Sequence, residues 1–220
     1  MSLAGIFRLK SISKASFFER PLPAILAALA ENEGAEILEF AISLPLLLVV
    51  AVGVFDFGSA FVVKQKVGNV ALQGARFASN QPTTDLSLAV ACGAPASICS
   101  VRDVVESNLV ASRLNDCGLG TATGAAGTPL STIAPLAWNF VANAGCAGTL
   151  TLTVERGFIY TTTLPNPPFQ AGNYTIEGTR VTLSYPYRWQ FNRVVPFIAP
   201  AANYPATSQI NSIAIMQNLN

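Results

Sequence analysis

Residues 40–55 run for sixteen positions without a charge, Asp56 interrupts, and apolar character resumes through Val63 until Lys64. As a helix, sixteen residues rise roughly 24 Å and residues 40–63 roughly 36 Å. The longer run crosses a hydrocarbon layer of roughly 30 Å with some tilt. The pattern therefore predicts a membrane-spanning helix; a buried core helix would need other hydrophobic helices around it, and the chain offers none. Asp56 lies toward the far end of the run, where the expectation is a solvated carboxylate at the interface. The alternative is a polar contact with another membrane helix.

Past Val63 the positions Val67, Val70, Ala71, Gly74, Ala75, Phe77 and Ala78 are small or apolar, and Lys66, Asn69, Gln73 and Arg76 fall elsewhere. This is an amphipathic continuation of the same helix, from Ala35 to about Ser79, kinked at Pro45 and ended by Asn80, Gln81 and Pro82. Gly68, Ala71, Gly74, Ala75 and Ala78 make a small-residue surface. Packing on the chain's own domain is favoured over docking to another helix. Arg76 either holds a carboxylate or carbonyls of that domain or is simply solvated.

Beyond Thr83 the chain is rich in Gly, Ala, Ser and Thr. Ser100, Val101, Arg102 and Asp103 read as a capping box, with Val101, Val104, Val105, Leu109 and Leu114 marking a short helix to about Asn115. Gly118, Gly120 and Gly124 look superficially like a dinucleotide loop, but the spacing is wrong and no strand precedes them, so a flexible loop is expected. Residues 150–154, 157–164, 174–176, 180–187 and 210–216 have strand composition. Hairpin turns are expected at Glu155–Gly157 and Glu177–Thr179. The fold class is α+β: a long N-terminal transmembrane helix continuing into a small extracytoplasmic domain with an antiparallel sheet. Its expected divisions are a leader (1–34), a span (35–63), a helical continuation (64–80) and an extracytoplasmic domain (81–220).

Composition narrows the chemistry. The 220 residues carry 13 Lys+Arg against 12 Asp+Glu, a net charge of +1 that gives no nucleic-acid footprint. Charged residues are 11% of the chain, against about 25% in ordinary soluble domains, and hydrophobic residues are 51%. The absence of histidine removes Ser-His and Cys-His pairs and His-ligated zinc. Arg8, Lys10, Lys14 and Arg20 mildly favour a cytoplasmic N-terminus, although Lys64 and Lys66 dilute the contrast.

Cys92, Cys99, Cys117 and Cys146 all follow the membrane run. Four cysteines on one side point to one or two disulfides in an oxidising compartment, hence outside the cytoplasm. Their spacing fits no paired zinc motif, and the pairing itself is open, with Cys92 and Cys99 merely closest in sequence. Gly58, Ser59 and Ala60 resemble a signal-peptide cleavage site, but the polar stretch before the apolar core is too long and Glu39 sits at the core's lip.

Just before the apolar run stand Gly34 and Ala35, with Glu39 five residues after the glycine. A glycine so placed resembles the processing site of type IV prepilins, where a membrane peptidase cuts after the glycine. The resemblance implies cleavage between Gly34 and Ala35, with Glu39 of one subunit pairing with the new Ala35 amine of the next and setting register. The acids Glu31 and Glu33 depart from the usual basic leader. Read alone, Glu39 caps the interface toward the headgroups.

Further along, Glu39, Phe40, Ala41, Pro45, Gly53, Phe57 and Gly58, and then Asn69 through Gly74, Ala75, Arg76 and Ala78, together resemble the TadE-like family. These are pseudopilin-like proteins of the tight-adherence (Flp) pilus machinery. The likeness covers residues 34–80, and residues 181–189 look more loosely like that family's closing strand. It implies as partners a prepilin-type peptidase, other pseudopilins, inner-membrane components of the same machinery and the lipid bilayer.

Three function classes compete. The first is a non-enzymatic minor pseudopilin or assembly component of the bacterial inner membrane, N-terminus cytoplasmic and C-terminal domain periplasmic, able to enter a surface filament. The second is a permanently tethered periplasmic binding or adhesion module, with Tyr160, Tyr174, Tyr185, Tyr187 and Trp189 as its aromatic surface; those residues are more readily core than sugar platform. The third is an enzyme. Asp85, Asp103, Glu106, Asp116, Glu155 and Glu177 share no motif of paired carboxylates, and no P-loop, nucleophile elbow or metal cluster is present. The first class is preferred, with no enzymatic activity, cofactor or metal expected.

Overall fold

The computed structural model describes residues 32–126, 136–164, 172–191 and 205–218. Its first element, α1 (Asn32–Ser79), continues without a break through Pro45 and starts three residues ahead of the expected Ala35, so that Gly34 lies inside its first turn. By compactness the chain divides into Met1–Val50 and Ala51–Asn220. In the first unit every described side chain, from Glu36 to Val50, is exposed. Among the described residues its apolar side chains stay uncovered. Phe40 is 63% and Leu46 71% exposed, surfaces that water would penalise and lipid would not.

The second unit holds the rest of α1, a second helix α2 (Ala96–Ala111), a 3₁₀ turn (Leu119–Thr121) and five strands. These are β1 (Gly124–Ala126), β2 (Leu136–Ala142), β3 (Leu150–Leu164), β4 (Gly172–Arg188) and β5 (Thr207–Gln217). They form one sheet in the order β1-β2-β3-β4-β5, every neighbouring pair antiparallel. With the long apolar helix ahead of it, this is the expected α+β architecture.

Alternation along the strands builds the core. Phe140 lies opposite Leu152, Leu152 opposite Leu183, and Val154 opposite Val181. All five are fully buried, so they share the face that α1 and α2 cover. The small residues of α1 meet that face: Val67, Ala71, Ala75 and Ala78 are completely buried. A Cβ on Gly74 would come within 2.7 Å of Val105 in α2 and 3.6 Å of Val181 in β4. The small-residue surface thus serves the chain's own domain.

Several local expectations are corrected. Ser100 does not cap α2; it lies a turn inside, its hydroxyl donating to Ala96 O at 2.9 Å. The helix begins at Ala96 because Asp85 supplies the cap from upstream. Its carboxylate accepts from Ser97 N at 2.8 Å and from the Ser97 hydroxyl at 2.9 Å, an anion at the positive end of the helix. The C-terminal end falls at Ala111, short of the expected Asn115.

Neither proposed hairpin turn is one. Glu155 to Gly157 lie inside β3, where a bulge between Arg156 and Phe158 takes up Gly157 at φ +74°. Gly178 lies inside β4, where a Cβ would come within 2.6 Å of Met216 O on β5. Gly157 marks a bulge and Gly178 a close backbone approach, and neither marks a reversal. The segment around Gly118 and Gly120 is a tied 3₁₀ turn with Leu119 completely buried, not a flexible loop. Strands β1 and β2 are additions to the expected sheet.

Candidate functional site

At the start of α1, Ala35 and Glu39 stand at i and i+4, which puts the two positions on one face of the helix. Glu39 is exposed, as are Phe40 and Ala41 after it. Chain cleavage before Ala35 would leave an ammonium at the helix N-terminus, beside the partial positive charge of the unpaired backbone N–H groups. A carboxylate is the natural partner for that end of a helix. Pro45 follows within the exposed apolar stretch.

The interruption at Asp56 has a different meaning from either expectation. The residue is 1% exposed, so it is not solvated, and its partners are in its own chain. Its carboxylate accepts the backbone N–H of Gln190 at 3.0 Å and of Phe191 at 3.3 Å. The Tyr187 hydroxyl donates to the Asp56 carbonyl at 3.4 Å. Burial first, and then the charge of Asp56, push the Tyr187 phenol above its ordinary value, against a smaller opposing hydrogen bond with Ser59. Trp189 completes the group, edge-on to Phe57 at 5.5 Å and to Tyr187 at 5.1 Å. The residues expected as a closing strand therefore end β4 by strapping it to α1. Tyr185 and Tyr187 are 8% and 6% exposed, which makes them core residues.

The far end of α1 is held by Arg156, itself 1% exposed. Its guanidinium donates to Ala78 O and, at 2.8 Å, to Gln81 O, satisfying carbonyls that a helix end leaves open. Burial lowers its pKa, with Asp85 and Glu177 opposing. Arg76, the charged residue of the Gly74-Ala75-Arg76 motif, is exposed and among the described residues forms no ion pair.

Several of the remaining acids have local partners. Glu155 is buried against Arg180, directly across from it on β4, and the Arg180 guanidinium lies 4.4 Å from the Phe158 ring centre. Asp103 pairs with Arg102 at 2.7 Å, and Asp116 accepts from Gly118 N at 3.1 Å. A Cβ on Gly120 would meet the Glu106 carboxyl at 2.7 Å. Cys92 is bonded to Cys99 and Cys117 to Cys146, with Cα separations of 6.4 and 5.3 Å. No group of three or more metal-ligating side chains exists among the described residues.

The stretch from Gly34 at the start of α1 to Arg76 in its last turn is where the chain meets a known family. Residues 34–76 match the TadE-like protein family. No curated protein and no solved structure matches the chain. The TadE-like match supports involvement in the tight-adherence (Flp) pilus machinery. Its limits coincide with the two features singled out in sequence, Gly34 at one end and Gly74-Ala75-Arg76 at the other. Within this TadE-like segment, Gly74 and Ala75 are packing residues under α2 and β4, and Glu39 is an exposed acid at the start of the apolar run. Asp56 is the site residue whose role sequence reasoning missed; its signal was a charge retained within a span that otherwise excludes charge.

Proposed function

We propose that the chain is a non-enzymatic minor pseudopilin or assembly component of a tight-adherence pilus, anchored by a single pass of α1 and processed after Gly34. The observation that carries this reading is the TadE-like match over residues 34–76, lying on a helix whose apolar side chains are exposed from Ile37 to Val50. In this reading residues 1–34 are a cytoplasmic leader and 35–63 cross the bacterial inner membrane. Residues 64–80 lift the helix into a periplasmic domain formed by 81–220. Two disulfides suit the oxidising side.

Glu39 is the register group. Its carboxylate in one subunit meets the Ala35 ammonium of the next in a low-dielectric layer, where the attraction exceeds its value in water. A prepilin-type peptidase makes the cut, and other pseudopilins and inner-membrane components of the machinery are the partners. The test is Glu39→Ala in the native host. Membrane insertion is expected to persist while recovery of the chain in assembled complexes falls; unchanged assembly removes the register role.

A further inference from the structure

We propose that the corner made by Trp189, Phe57 and Phe61, backed by the buried Tyr187, is a membrane-interface contact, by which the end of β4 rests in the headgroup layer of the bilayer that α1 crosses. The partner is lipid. This rests on the reading that α1 spans a bilayer, and it adds that the sheet domain touches the same membrane.

The helix sets the depth. Counting from Phe40, a hydrocarbon layer of roughly 30 Å takes up about twenty residues, which brings the boundary near Ser59. Whatever packs on α1 between Asp56 and Phe61 is therefore at membrane level. Two backbone N–H groups, those of Gln190 and Phe191, reach that level, where an unpaired donor is costly. Asp56 accepts both. The same bonds stabilise a carboxylate that would otherwise be expensive there, so each group removes the other's penalty.

The surface around this clasp has the composition of a bilayer interface. Phe57 and Phe61 are 65% and 60% exposed and border a shallow groove with Trp189 and Ile210, while Lys64 stands at its rim. A Trp at the end of an apolar span, with a Lys one turn beyond, matches the aromatic belt and a snorkelling ammonium, while Tyr187 lies buried behind it. Val54 and Phe55, just before this corner on α1, are 68% and 69% exposed as well.

The chain has two tryptophans, which makes the test direct. Trp189 is at the corner and Trp138 is in the core, 7% exposed. The full-length protein is reconstituted in phosphatidylcholine/phosphatidylglycerol vesicles containing lipid brominated either near the headgroup or near the chain ends. Emission of Trp138→Phe reports Trp189 alone. Subtracting the Trp189→Phe signal from that of the unaltered chain gives the same quantity without touching the core. Trp189 is expected to be quenched most by the shallow bromines, and Trp138 by neither lipid. Resistance to carbonate extraction is scored on the same samples: a chain that is extracted refutes the span itself. A chain that stays integrated, with Trp189 quenched by soluble acrylamide but not by bromolipid, overturns the interface contact and leaves the span standing. Loss of lipid quenching as protein density in the vesicle rises means that a second copy covers the corner, and that also overturns it.

Discussion

Placing a methyl group on Gly74 tests why the Gly74-Ala75-Arg76 motif has a glycine. The added Cβ would lie 2.7 Å from Val105 Cγ2, closer than real side chains approach, and 3.6 Å from Val181 Cγ1, an ordinary contact. Val105 is fully buried and β-branched, so it has no free rotamer to retreat into. Overpacking of this kind costs about 1–3 kcal/mol, whereas replacing glycine by alanine within a helix gains about 1 kcal/mol. Gly74→Ala should thus lower stability by about 0–2 kcal/mol. Removing the obstacle changes the sign. Val105→Ala alone should cost about 2 kcal/mol through lost methyl groups and a cavity. In that background Gly74→Ala should stabilise by about 1 kcal/mol, because the helix gain remains and the clash is gone. The assay is denaturant unfolding of the full chain in detergent, in a Trp189→Phe background, followed through emission of the buried Trp138. A coupling between the two substitutions of about 1–3 kcal/mol is expected. Additivity within about 0.5 kcal/mol would refute the packing role of the glycine.

Arg156→Ala should destabilise the domain by about 2–3 kcal/mol, since the buried Ala78 carbonyl and the part-buried Gln81 carbonyl lose a charged donor together; Arg156→Lys, with no planar fork, should recover only part. Thermal unfolding of both variants checks this, and a loss below about 1 kcal/mol for Arg156→Ala would show that α1 is not held there. The disulfides should differ in weight. Their sequence separations of 7 and 29 residues give about 2 and about 3.5 kcal/mol by loop-closure entropy. Cys117→Ser with Cys146→Ser should therefore shift the unfolding midpoint more than Cys92→Ser with Cys99→Ser, and equal shifts would contradict that ranking.

The sequence made the spanning helix plain because it concentrates apolar residues in one unbroken run, and it made the side of α1 that packs on the domain plain through the periodicity of Val67, Ala71, Gly74, Ala75 and Ala78. What it hid was non-local. Asp85 caps a helix that starts eleven residues later, so no capping box marks Ala96. Gly157 and Gly178 look like turn residues, because a bulge and a tight interstrand approach call for the same absence of a side chain. The burial of Asp56 depends on a strap more than 130 positions away in sequence, at Gln190 and Phe191. Hydropathy registers such a residue as an interruption, and only the folded chain supplies its donors. The mouth of the helix is a different case. The spacing of Gly34 and Glu39 is visible in the sequence, and the role proposed for them rests on a neighbouring subunit and not on packing within the chain.

The central claim, that this is a processed pseudopilin, is tested most directly by the N-terminal sequence and intact mass of the protein recovered from its native membrane. The account predicts a chain that begins at Ala35, and that Gly34→Leu abolishes this species. A chain from the same membrane that still carries the residues before Gly34 would contradict it and leave α1 as a permanent anchor.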